Sequence, residues 1–405
     1  MMRALRIDRS VSRFAISRIA ASVSTARAAK ISSLEHVTID LPERPGDGWM
    51  TLRPLLTGIC GSDLALVEGH ASPYFEDWVS FPFVPGHEIV GLLEDGTRVV
   101  VEPVLGHAAR GHKPPHPDAA PADGDDYAHL ALPPLKPGIQ TGFCCSTGGG
   151  WSEQLWVHES QVHRIPDSMS DEAAVLIEPL AGGIHAALMA IRSIAQNEHA
   201  AQTTEPVIAV LGAGPMGLAA IAGLRKFAPS AKIIVGARYP VQHRFASALG
   251  ATEVVSPDDL ARAVRRHTGC HMVGDYLSSG AHATIDAVGN SASVDQCIRL
   301  TRPRSTVVLM GMPANVSVDM TGLWHRETKL AGSYTYGTEN LPDGGSARTF
   351  DLAIELAAEI GADRLLSATY RLHEYADALA HAGASGARGD FKIAFDLRPI
   401  NKESH

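Results

Sequence analysis

The chain has 405 residues, 45% hydrophobic and 20% charged, with a formal net charge of −9. That length exceeds one ordinary core and predicts two domains of globular composition. The acidic balance without a basic block argues against a nucleic-acid partner, and no apolar run of membrane-spanning length free of charge appears, which favours small-molecule chemistry without a membrane.

The five cysteines, at 60, 144, 145, 270 and 297, form an odd count without framework spacing, as expected of a reducing, cytoplasmic setting. Residues 1–30 carry six arginines and a single acid, Asp8, in a pattern that faintly resembles an organelle transit peptide. The favoured reading is a first strand, "MRALRID", followed by a variable extension. Next come short apolar runs, "HVTIDL", "WMTLRPLL", "HEIVGLL" and "TRVVVEPV", separated by Gly, Pro and Asp turns and therefore read as strands. From about 105 to 140, His, Pro, Ala and Asp dominate without periodicity, which predicts a long surface lobe. "WSEQLWVHESQVHRI" is β-like, and Ser170–Asp171–Glu172 opens a predicted helix through "AAVLIEPLAGGIHAALMAI".

At about 205 the rhythm changes to strand–helix alternation: "PVIAVLGAG", "PMGLAAIAGLRKF", "AKIIVGA", "VQHRFASALG", then later strands in "ATIDAVG" and "STVVLMG". Alternation of this kind predicts a parallel doubly wound sheet of α/β class. "ARTFDLAIELAAEIG" reads as an amphipathic helix and "DFKIAFDL" as a closing strand.

Gly212, Gly214 and Gly217 in "LGAGPMG" follow a buried strand and open a helix, with Pro215 and Met216 between them. This is the context in which a G-x-G-x-x-G turn cradles a pyrophosphate on a helix N-terminus. At the end of the second strand an NAD site wants an acid, but Gly236, Ala237 and Arg238 stand there. Small residues beside a guanidinium accommodate a 2′-phosphate, so NADP is favoured and NAD is the alternative.

Cys60 in "TGICGSD" lies 27 positions before His87, which with Glu88 follows a Pro–Gly turn in "VPGHEIVG". Singly, such residues are commonly structural. The ordered set "GICGSD", "PGHEIVG", "IEPLAGGIHAA" and "LGAGPMG" resembles the zinc-dependent medium-chain dehydrogenase/reductase family, over residues 30 to 397. The resemblance implies a GroES-like catalytic domain at 1–195, completed by a return at 346–405. It also implies a Rossmann domain at 196–345, and an active site in the cleft between the two. It further implies one catalytic zinc held by Cys60, His87 and Glu178, with Glu88 able to enter the coordination shell. Ser62 would relay the substrate proton, Asp63 would stand behind the metal, and Lys392 would pair with Asp63. His185, on the helix after Glu178, is expected to be core packing. A homodimer or homotetramer paired near "STVVLMG" is implied, with an alcohol, polyol or matching carbonyl compound as substrate.

The family's second, structural zinc needs four cysteines in the lobe, and residues 105–140 have none. That zinc is expected to be absent, leaving the lobe mobile or held by a partner subunit. His107, His112, His116 and His129 with Asp118, Asp123, Asp125 and Asp126 give no defensible tetrahedral spacing. Tyr74, Phe75, Trp78, Phe81 and Phe83 could wall a substrate pocket or pack the domain. Two other readings are weighed. A zinc-free reductase of activated double bonds would lack the Cys/His/Glu set, and a non-catalytic nucleotide-binding protein would not need it.

Overall fold

In the computed structural model the described residues are 1–115, 126–197, 200 and 202–399. They divide into two compact units, 1–178 with 357–405, and 179–356.

The first unit opens with β1 (Met2–Ile7), two helices α1 (Val11–Ala21) and α2 (Thr25–Ile31), then β2 (Leu34–Ile39), which pairs antiparallel with β1. The segment read as a variable extension is thus a capped helical hairpin inserted between paired strands. Ser10 accepts from Arg13 N and Ser24 from Arg27 N, the N-cap contacts that small hydroxyl residues supply. The chain continues through β3 (Trp49–Gly58), α3 (Gly61–Val67), β4 (Ile89–Leu93), β5 (Arg98–Val101), β6 (Leu155–His158), β7 (Val162–Arg164) and α4 (Asp171–Ala174). Ser170 caps α4 by accepting from Ala173 N at 3.1 Å, as its sequence predicts, but the helix breaks after one turn.

α5 (Ile177–Ala195) then restarts. The second unit carries β8 (Val207–Leu211), α6 (Pro215–Phe227), β9 (Lys232–Gly236), α7 (Pro240–Ala248), β10 (Glu253–Val255) and α8 (Leu260–Thr268). A short hairpin, β11 (Met272–Val273) and β12 (Tyr276–Leu277), leads into β13 (Ala281–Asp286), α9 (Ser291–Leu300), β14 (Thr301–Leu309), α10 (Thr321–His325) and β15 (Lys329–Gly332). Six of these strands form one parallel sheet in the order β10-β9-β8-β13-β14-β15. Its strand order reverses between β8 and β13, the doubly wound arrangement expected. β14 holds the "STVVLMG" run and has a partner on each side, so it offers no edge to another subunit; the open edges are β10 and β15.

After β16 (Thr338–Asn340), β17 (Ser346–Arg348) and α11 (Thr349–Ile360), the chain returns to the first unit as β18 (Leu366–Tyr370), α12 (Tyr375–Arg388) and β19 (Lys392–Asp396). β19 lies antiparallel to β3, placing Ala394 opposite Gly58 and finishing the seven-stranded GroES-like sheet. Trp151, Phe83, Leu5, Leu34 and Phe395 are buried together in its core, with Trp151 edge-on to Phe395 at 5.2 Å.

The lobe has an internal tie in place of cysteines. Arg110 is buried, and its guanidinium donates to three backbone carbonyls, Leu105 O at 3.1 Å, Leu132 O at 2.8 Å and Gly138 O at 2.7 Å. Leu105, Leu132 and Gly138, from the two flanks of the lobe, are therefore fastened to one side chain. Burial brings Arg110 down to about 10, so it stays charged at neutral pH. His107 and His129 stack at 3.8 Å. Burial, helped by His107, takes His129 down to about 4, so it is neutral there. His116, Asp118, Asp123 and Asp125 lie outside the described residues.

Candidate active site

Cys60 ends the loop after β3 and is the N-cap of α3. Its backbone N–H donates to Asp63 Oδ2 at 2.9 Å, which turns the Asp63 side chain back under the loop. His87 arrives on the segment before β4. Its Nδ1 lies 3.6 Å from Asp63 Oδ1, and its Nε2 lies 3.5 Å from Ser62 Oγ. The two faces of the ring are thereby assigned, one to the acid behind it and one to the hydroxyl in front. His87 and Asp63 are both buried, and His87 Nδ1 and Asp63 Oδ1 have no hydrogen-bond partner.

The electrostatics tie the remaining residues to this pair. Burial would push the His87 imidazole down, but Asp63 foremost, with Cys60 and the charge of Glu178, holds it well above its ordinary value. Burial raises the Asp63 carboxyl, against the opposing pull of His87 and the Cys60 N–H. Lys392 Nζ donates to both oxygens of Glu88, at 2.5 and 2.6 Å, and to Ile59 O at 3.3 Å. Burial would lower Lys392, yet Glu88, Cys60 and Glu178 keep it raised.

One assignment implied by the resemblance changes here. Lys392 pairs with Glu88 and not with Asp63, because β19 runs beside β3 and delivers the ammonium next to Ile59. Both oxygens of Glu88 are engaged by that ammonium. Gly58 makes the arrangement feasible, since a Cβ there would stand 1.8 Å from Glu88 Oε2.

The donor set suits a divalent ion. Thiol, imidazole and carboxylate are zinc ligands, and an acid behind a ligating histidine, here 3.6 Å from Nδ1, helps orient the ring. Asp63, Glu88 and Glu178 also outnumber the single ammonium of Lys392, so the site is short of positive charge. Among the described residues no three His, Cys, Asp or Glu side chains form a ready metal-binding group. Cys60 and Glu178 both act on His87 and on Lys392 through their charge.

Sequence reasoning missed Phe143, whose ring lies 6.0 Å from that of His87 and 5.4 Å from that of Phe83. Nothing in "GFCCS" signals this, because the neighbourhood exists only after folding. Of the candidate pocket aromatics, Phe83 is in the core, whereas Tyr74 is exposed on a short 3₁₀ turn, Pro73–Trp78. His185 is half-buried and hydrogen-bonded to Glu339 Oε1 at 2.6 Å, so it is a polar anchor in the second unit and not simple packing.

In the second unit Gly212, Gly214 and Gly217 stand between β8 and α6 as their spacing requires. Gly212 has φ +98°, and a Cβ on Gly217 would lie 2.0 Å from Gly212 O. A Cβ on Gly214 would meet nothing within 4 Å, so that side of the loop is open for a phosphate to approach the N-terminus of α6. Pro215 at the first helical turn removes an N–H that needs no partner, and Met216 follows it. Gly212 N donates to Gly236 O at 2.9 Å, which brings Gly236, Ala237 and Arg238 alongside the loop. Arg238 is exposed there. The loop after β13, read only as a strand end, also belongs to this corner. Asp286 Oδ1 accepts from Val288 N at 2.9 Å and Gly289 N at 3.0 Å, and Val288 is the side chain a Cβ on Gly212 would strike.

Comparison with known proteins agrees with both units. Residues 46–167 match the alcohol dehydrogenase GroES-like domain and residues 215–351 match the zinc-binding dehydrogenase domain. The chain belongs to the zinc-dependent medium-chain dehydrogenase family. Sorbitol dehydrogenase from Bacillus subtilis (strain 168) is 26% identical over 364 residues, covering 85% of this chain and 89% of that protein. A zinc-binding dehydrogenase from Sinorhizobium meliloti 1021, bound to NADP, superposes with a TM-score of 0.67 at 22% identity, over 98% of this chain and 99% of that one. The rspB alcohol dehydrogenase from E. coli CFT073, complexed with NADH, gives 0.67 at 20% identity over 98% and 99%. Among the described residues no helix of this family member is long and apolar enough to cross a membrane.

Proposed function

We propose that this dehydrogenase oxidises alcohols or polyols, or reduces the matching aldehydes and ketones, using one zinc held by Cys60, His87 and Glu178 and NADP as hydride carrier. The observation that carries the reading is the buried His87–Asp63 pair beside half-buried Cys60, with Glu178 in electrostatic reach. The relation to a sorbitol dehydrogenase favours the polyol class.

When bound, zinc would supply Lewis acidity at the substrate oxygen, and the nicotinamide would accept or return the hydride. The chain's own residues do the rest. Asp63 orients the His87 ring so that Nε2 points to the same side as Ser62 Oγ. Ser62 Oγ accepts the hydroxyl proton of the alcohol and passes its own onward, so it moves one proton without changing charge. Lys392 neutralises Glu88, which keeps that carboxylate from competing for the metal. Gly214 and the α6 N-terminus take the pyrophosphate, and Arg238 takes the 2′-phosphate.

The presence of thiol, imidazole and carboxylate together counts against a zinc-free double-bond reductase. A panel of polyols, alcohols and carbonyl compounds, followed by NADP(H) absorbance, tests the proposal. Turnover that disappears in Cys60→Ala together with the zinc supports it. Turnover in the zinc-free variant would refute it.

A further inference from the structure

The fingerprint loop, Gly236–Arg238 and the loop after β13 all lie at the carboxyl ends of the parallel strands. A cavity of about 340 Å³ opens at the opposite end of the same sheet. It is bordered by Ser278 and Ser279 ahead of β13, by Arg302 and Arg304 early in β14, and by Arg326 and Glu327 ahead of β15. From Arg304 to the end of β14 is five strand steps, about 16 Å at the usual rise. The cavity is therefore separate from the nucleotide corner.

Its chemistry is strongly one-signed. Three guanidinium groups face one carboxylate, and that carboxylate is taken: Arg304 Nε donates to Glu327 Oε2 at 2.6 Å. Arg326 donates through its terminal nitrogens to Leu277 O at 2.7 Å and Thr301 O at 2.9 Å and also to Ser279 O, while its buried Nε has no partner. These carbonyls fix the Arg326 plane without neutralising it. Arg302 makes no hydrogen bond or ion pair among the described residues. Its charge is felt nearby: burial, reinforced by Arg302, brings His282 down to about 4. Ser278 Oγ accepts from His271 N at 3.0 Å, which leaves its proton free to donate.

The backbone gives a second, independent sign. Arg304 and Glu327 hold φ of +65° and +53°, two of the three non-glycine residues in that region among the described residues. Arg304 N donates to Arg326 O at 2.9 Å, locking both strained residues into the cavity wall. Strain of this type gathers at ligand sites.

We propose that this cavity is a second binding site, for the phosphate group of a small phosphorylated metabolite, held between Arg302 and Arg326. Two positive charges without a counter-charge suit a dianion; the planar fork of Arg302 suits two of its oxygens, while Arg326, already donating to three carbonyls, contributes chiefly its charge. A neutral or cationic ligand would lose hydration from the guanidinium groups without compensation. The volume falls in the lower part of the ~300–1,000 Å³ range of small-molecule sites, which leaves room for an organic portion beyond the phosphate.

The test is calorimetric titration of the full chain at constant ionic strength with glycerol 3-phosphate, inorganic phosphate and glycerol, without and with saturating NADP. The expected result is saturable binding of one glycerol 3-phosphate per chain, unaffected by NADP, and no binding of glycerol. Arg302→Gln should weaken it at least tenfold, and Arg302→Lys should restore part of the loss. Circular dichroism and unchanged NADP affinity certify that both variants are folded. Equal affinity for inorganic phosphate would support the site and identify the free ion as the source of the recognised group. Absence of binding by both phosphates, binding abolished by NADP, or affinity unchanged in Arg302→Gln overturns the proposal.

Discussion

Lys392 is the residue whose removal reports most clearly on how the site is built. It is separated from Glu88 by three hundred positions, yet the two groups are buried against each other at 2.5 Å. Lys392→Met leaves a buried carboxylate alone, so unfolding should become easier by about 3 kcal/mol or more in urea titration. Glu88→Gln with Lys392→Met should recover much of that loss, because neither charge is then left behind. Ser62→Ala should retain zinc and nucleotide but lower kcat about 100-fold or more, the usual worth of positioned proton transfer. Arg238→Ala should weaken NADP binding much more than NAD binding in fluorescence titration. An equal effect on both would remove the basis for the NADP assignment. Cys60 and His87 stood out beside their Gly and Pro turns, but only the family resemblance marked them, with Ser62 and Asp63, as site candidates. The partner of Lys392 was not legible, since strand register alone decides whether its ammonium meets Asp63 or Glu88. Phe143 was invisible for the same reason.

Most strands and helices of both units were legible from period-2 and period-3.6 patterns together with turn residues. The exceptions share a physical cause. Residues 11–31 carry arginines and serines that blur helical periodicity, and the helices form because Ser10 and Ser24 cap them and because buried Ala28 and Ala29 let α2 pack on α12. In the lobe, which the sequence leaves without the four cysteines of a structural zinc, one buried arginine ties three backbone carbonyls together. Arg110→Met keeps the apolar stem and deletes three charged hydrogen bonds to carbonyls, so we expect about 3 kcal/mol or more of destabilisation and earlier proteolytic cleavage between 105 and 138. The sheet of the second unit carries its own pH signature. His282 accepts from Val207 N at 3.0 Å and is held near 4, below its ordinary 6.5. As pH falls from about 6.5 to 4 the unfolded chain takes up that proton first, so stability declines across this window and the slope ends below it. His282→Asn keeps the acceptor without the titration and should flatten the thermal-stability profile between those values.

For the molecule as a whole, topology decides where another copy would join. β14 is enclosed, whereas β15 offers unpaired backbone groups on the second unit, with Leu330 and Trp324 exposed beside them. Such an edge invites pairing with a second copy. We therefore expect a homodimer by light scattering that Leu330→Lys converts to monomer. The central claim concerns a single metal. Zinc-edge X-ray absorption of the purified protein, with elemental analysis, tests it directly. The account predicts one zinc per chain with one sulfur near 2.3 Å and nitrogen or oxygen near 2.0–2.1 Å, all lost in Cys60→Ala. Two zincs per chain, a shell without sulfur, or zinc retained by Cys60→Ala would contradict it.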